Sequence, residues 1–122
     1  MDKKIKASEY NEKGYNCAES IIKAYNEEFN TDIPVSLGSG LGAGLTVGSI
    51  CGAVNAASLI IGYTKGRNDE TEMNNARAYT KKLMSQVKEK YNSDLCRDLK
   101  RNKVSCKEII DFSYENLKEI LK

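Results

Sequence analysis

The side chains in this chain best suited to chemistry are four cysteines, Cys17, Cys51, Cys96 and Cys106, and no histidine stands among the 122 residues. Without histidine there is no Cys-His nucleophile pair, no Ser-His-Asp triad and no imidazole ligand for a metal. A metal would have to be held by thiolates, by carboxylates or by atoms from outside the chain. Three chemistries remain open to the thiols. They could carry an iron–sulfur cluster for electron transfer, cycle between dithiol and disulfide, or form a four-cysteine zinc site. No Cys-x-x-Cys occurs, so neither a thioredoxin-type pair nor a zinc ribbon is indicated. The cysteines are far apart in sequence and can converge only through the fold.

Each thiol falls at a predicted helix start. Cys17 follows Asn16, which with Glu19 forms a capping-box pattern; Cys51 follows Ser49 by two residues; Cys96 follows Ser93 by three; Cys106 follows Ser105, which pairs with Glu108. Free N–H groups and the helix dipole favour a thiolate there. The stretch RDLKRNKVS between Cys96 and Cys106 carries four basic residues and one acidic, and Lys107 follows. On charge alone, Cys96 and Cys106 are the expected reactive pair. For any single cysteine the competing reading is an apolar filler, and Cys51, on the most apolar segment, is its strongest case.

Six of the nine glycines fall between Gly38 and Gly52, in GSGLGAGLTVGSICG. The run lacks Gly-x-Gly-x-x-Gly and Gly-Lys-Ser/Thr, so nucleotide binding has little support. Close helix packing with tight turns is the favoured explanation. A further one places the loop beside Cys51, with Gly48 and Gly52 clearing space and offering backbone N–H groups to a bound group. Cys17 and Cys51 are expected to meet next to it.

The elements that must position these residues are helices. Ala18, Ile21, Ile22, Tyr25 and Phe29 share one face at three- and four-residue steps, after a short helix near residues 4–13 and a break at Gly14. Residues 50–64 are apolar on nearly all sides, as in a buried central helix. Met73, Ala76, Tyr79, Leu83, Val87 and Tyr91 mark a long surface helix. DLCRDLK forms a short one, and Ile109, Ile110, Leu117, Ile120 and Leu121 face inward from a last one. The expectation is an all-α fold: a single-domain bundle of about five or six helices over residues 1–122, around the helix at about residues 50–64.

Nineteen basic and seventeen acidic residues give a net charge of +2, which is not the footprint of a dedicated nucleic-acid binder. MDKKIKASEY has no apolar core of a signal peptide, and the apolar stretch at residues 53–61 is too short to span a bilayer. No membrane association is expected. A cytoplasmic location is, and in that reducing compartment four cysteines point to redox or metal chemistry before structural staples.

GYNCAES, the glycine loop, CGAVNAASLIIGYTKGRND and the two later cysteines together resemble the redox-active family named for its C…CGAxxG…C…C pattern, a relative of the helical domain of split-Soret cytochromes. The resemblance covers nearly the whole chain and maps the four family cysteines onto Cys17, Cys51, Cys96 and Cys106. It implies a helical fold and a redox role, with an iron–sulfur site, a homodimer and an unidentified redox partner protein as extensions. Haem is not carried over, because no Cys-x-x-Cys-His is present. Two departures stand out. Ala56 occupies the motif's final glycine position, and only nine residues separate Cys96 from Cys106. The alternative function is a non-redox helical binding module whose cysteines are structural or hold zinc.

Overall fold

The computed structural model describes residues 5–122. Six α-helices follow in order: α1 (Ser8–Glu12), α2 (Cys17–Phe29), α3 (Gly52–Lys65), α4 (Ala76–Tyr91), α5 (Cys96–Arg101) and α6 (Cys106–Leu121). The only β-type pairing among the described residues is an isolated antiparallel bridge between Ile50 and Leu95. The all-α expectation holds.

Helix α3 is the centre. Val54, Ile60 and Ile61 are fully buried on it, and so are Ala53, Ala56 and Ala57, whose small side chains allow α2, α4 and α6 to pack close around it. Helix α2 starts where its sequence says it should. Asn16 Oδ1 accepts from the Glu19 N–H (2.7 Å) and Glu19 Oε1 accepts from the Asn16 N–H (2.9 Å), a complete capping box. It ends at Asn30 in the left-handed conformation that asparagine tolerates. Helix α1 is shorter than expected; it is tied to α6 by Ser8, whose N–H and hydroxyl both donate to the Asp111 carboxylate. The expected start of this helix at Lys4 lies outside the described residues.

Three apolar positions depart from the periodicity. Phe29, the last residue of α2, stacks on Tyr25 but remains half exposed. Met73 precedes α4 and points into solvent, and Leu121 is half-buried in the last turn of α6. Tyr114 does the reverse. It is fully buried, since its hydroxyl has a partner in Glu28 Oε1 (2.7 Å), itself ion-paired with Lys118 (3.2 Å).

Candidate functional site

Three of the cysteines occupy the first residue of a helix: Cys17 in α2, Cys96 in α5 and Cys106 in α6. Cys51 sits one residue ahead of α3, as its cap. Helix starts that are distant in sequence become neighbours because backbone pairs them. The Cys51 N–H donates to the Asp94 carbonyl (2.8 Å) and the Cys96 N–H donates to the Ser49 carbonyl (2.7 Å), on either side of the Ile50–Leu95 bridge. Asn55 closes the same turn, its side-chain amide donating to the Ile50 carbonyl (2.9 Å).

The glycines explain how the remaining pieces come so near. A Cβ on Gly38 would lie 2.9 Å from the Glu19 nitrogen in the first turn of α2, and one on Gly42 would lie 2.8 Å from the Asn16 side chain. At Gly44 it would lie 2.7 Å from Cys96 Cβ, and at Gly52 2.5 Å from Cys17 Sγ. Four glycines thus press against the caps or thiols of the cysteine-bearing elements. A Cβ on Gly48 would meet Arg97 Cβ at 3.4 Å. The loop between these contacts is wound left-handed, with φ of 53° at Ala43, 64° at Gly44, 59° at Leu45 and 65° at Thr46. Three of those residues carry a Cβ, and each such residue costs roughly 1–2 kcal/mol in this region.

All four thiol-bearing residues line one cavity of about 210 Å³. Apolar Leu99, Val104 and Ile109 complete much of its wall, with Asn16, Ala43 and the charged Lys100 among the rest. Cys51 and Cys96 are buried, Cys17 is partly exposed and Cys106 is exposed, so the cavity has an inner and an outer side. All four cysteines are free thiols. Among the described residues, no three Cys, Asp or Glu side chains stand close enough together to hold a metal ion as they lie. The same spacing bears on zinc and iron alike, so the thiols would have to draw inward to ligate either. The donor set, thiols alone around a space of several water volumes, has the chemistry and the room for a group of several atoms.

Burial overrides the helix starts in setting the inner thiols. It pushes Cys51 up to about 11; the backbone N–H groups of Val54 and Ala53 oppose the rise without making a true capping hydrogen bond, and Cys17 and Cys96 add to it. Cys96 is also pushed up, again by burial first. Lys100 works in the other direction, and the nearby Cys17 and Cys106 reinforce the rise. The activation expected for Cys96 from the basic segment is thus overturned, because desolvating its sulfur outweighs the neighbouring charge. The same mutual effects place Cys17, Cys51 and Cys96 within electrostatic reach of one another.

Reduced, metal-free protein should show this in its alkylation. A raised pKa keeps a thiol protonated through the pH range where a free cysteine, at about 8.5, ionises. Cys106 should react first at pH 8, and the Cys51 rate should climb only as pH approaches the value of about 11 that burial imposes. Residue-resolved mass spectrometry across pH 7–11 measures this. Equal rates for Cys51 and Cys106 at pH 8 would contradict the buried inner side.

Sequence alone singled out the four thiols. It missed Gly44, whose contact with Cys96 spans 52 positions, and Lys100 as part of the wall. The spacing of basic residues in RDLKRNK carried a hint of Lys100, one helical turn beyond Cys96.

An α-helical fold that brings four free thiols from four helix starts to one cavity defines a four-cysteine helical protein. The chain belongs to the family described as "Putative redox-active protein (C_GCAxxG_C_C)", which matches residues 15–120 and so includes all four cysteines. No curated protein and no solved structure matches it. Among the described residues, no helix is long and apolar enough to cross a membrane.

Proposed function

We propose that the four cysteines of this helical domain form one redox site, which holds an iron–sulfur cluster and passes single electrons. The observation that carries this reading is the convergence of Cys17, Cys51, Cys96 and Cys106 on one cavity of about 210 Å³. Bound there, a cluster supplies reversible one-electron transfer without needing a histidine. The chain's own part is to place the ligands and set their surroundings. The backbone N–H groups of Ala53 and Val54 lie at the Cys51 sulfur, Lys100 offsets negative charge on the thiolates, and Leu99, Val104 and Ile109 keep water from the inner side. Gly44 and Gly52 let the Cys96 and Cys17 segments close on Cys51. The split-Soret resemblance favours the cluster, and a homodimer, a cytoplasmic setting and a protein redox partner belong to the same reading.

A thiol–disulfide site is the second reading, favoured by the exposed Cys106 beside the buried Cys96. In that case two thiols would give up two electrons and two protons to an oxidant and join as a disulfide.

Anaerobic purification followed by a visible spectrum, iron and sulfide analysis and thiol titration separates these. The expected result is a coloured protein with iron and acid-labile sulfide, bleached by dithionite. Colourless, metal-free protein whose thiol count falls on mild oxidation would replace the cluster by the disulfide. About one zinc per chain, with no redox response, would overturn both in favour of structural cysteines.

A further inference from the structure

The outer side of the cavity opens onto an unusual stretch of surface. Cys106 is its exposed thiol. Lys100 lines the cavity with it, and Arg97, Lys100, Arg101, Lys103 and Lys107, close to it in sequence, are all exposed, against two acidic residues, the exposed Glu108 and Asp98, which is engaged by the Ser93 hydroxyl (2.8 Å). The chain as a whole is nearly neutral at +2, so this is a local concentration of charge. Beside it the left-handed loop holds Val47 at 75% exposure and Leu45 at 40%. Loop and basic helix are contiguous, because Gly48 backs onto Arg97 and Gly44 onto Cys96. A small apolar patch is therefore flanked by positive charge at the one exposed thiol of the site.

Resting on the redox reading above, we infer that this face, α5 with the α5–α6 turn and the Leu45–Val47 loop, docks an acidic one-electron carrier protein. Three features favour that occupant. Cys51 and Cys96 are buried and Cys17 is only partly exposed, so the most open approach to the site is at Cys106. Basic residues around that point attract and orient an acidic surface, which raises association rates at low ionic strength. The exposed apolar pair is small, as suits the limited, short-lived contacts of electron-transfer complexes. In the exchange one electron leaves the carrier, which is oxidised by one, and enters this site, which is reduced by one; no bond to the carrier forms.

The probe is a plant-type [2Fe–2S] ferredoxin of strongly acidic surface, with basic cytochrome c as the opposite-charge control. Binding is measured by calorimetry or NMR titration on the full chain, in 50 mM and 500 mM salt. The ferredoxin should bind at low salt and weaken at least tenfold at high salt, and cytochrome c should not bind. Arg101→Glu combined with Lys103→Glu should weaken ferredoxin binding at least tenfold, and Val47→Ser about threefold, with far-ultraviolet circular dichroism unchanged. If the double variant does not fold, Val47→Ser and the salt dependence still decide the matter. No ferredoxin binding, binding indifferent to salt and to these substitutions, or preferential binding of single-stranded DNA or anionic vesicles by this face would overturn the inference. The cluster reading fails separately, if the parent protein lacks a visible chromophore that dithionite bleaches. Ferredoxin binding is scored independently of that result.

Discussion

Replacing Gly44 by alanine should destabilise the protein by about 2–5 kcal/mol and disrupt the thiol cavity in the molecules that still fold. Two costs combine. The backbone at Gly44 has φ 64°, where any residue with a Cβ is strained. The added methyl would also lie 2.5 Å from the Ser49 carbonyl oxygen and 2.7 Å from Cys96 Cβ. The Ser49 carbonyl is the one that accepts the Cys96 N–H, so relief of the clash pulls at the pairing that joins the Cys51 and Cys96 segments. The loss is a large part of the roughly 5–15 kcal/mol by which a domain is stable. Two neighbours serve as controls in the same loop. Gly48→Ala meets only Arg97 Cβ at 3.4 Å and carries the conformational cost alone, about 1–2 kcal/mol. Gly40→Ala meets nothing within 4 Å and has no left-handed backbone, so it should be neutral or slightly stabilising. Urea denaturation of the three variants, with a count of reactive thiols, measures the series. A Gly44→Ala protein as stable as Gly40→Ala would mean that the close approach of the loop to Cys96 is not as described.

That series also marks where sequence stops being readable. Helix α2 could be read directly, since Asn16 and Glu19 state its start and Ile21, Ile22 and Tyr25 state its buried face; both signals are local. The alanine-rich α3 was legible as the centre for the same reason. Phe29 and Met73 misled because periodicity reports the face of a helix and not where its neighbours end. The four cysteines were visible as residue types, but their surroundings were not. Charge counting along RDLKRNKVS pointed to an activated Cys96, whereas its environment is dominated by desolvation, a property of packing that no spacing contains. The glycine run showed that something approaches closely. What approaches, Cys96 for Gly44 and Cys17 for Gly52, depends on contacts across 52 and 35 positions that only the fold makes.

On the proposed cluster reading, Cys106→Ser should abolish the colour of the site while leaving the fold intact, which none of the other cysteine substitutions is expected to do as cleanly. Cys106 is the first residue of α6 and is exposed, so serine's smaller, more polar atom meets solvent there. The cap of α6 is Ser105, whose hydroxyl accepts the Glu108 N–H (3.1 Å), and the substitution does not touch it. Stability should therefore stay within about 0.5 kcal/mol of the parent. The site should respond very differently. A thiolate ligand exchanged for a poorly ionised hydroxyl leaves a cluster with one weak attachment on its solvent side, and bound iron and sulfide should fall at least tenfold after anaerobic purification. Cys51→Ser makes the contrast. It places a hydroxyl where only 3% of the residue is exposed, at a cost of about 1–3 kcal/mol if the hydroxyl finds no partner, so colour and stability fall together. Iron analysis and thermal denaturation on the two variants read both effects at once. Full iron content in Cys106→Ser would remove the exposed thiol from the site, and the other three cysteines would have to account for the redox chemistry without it.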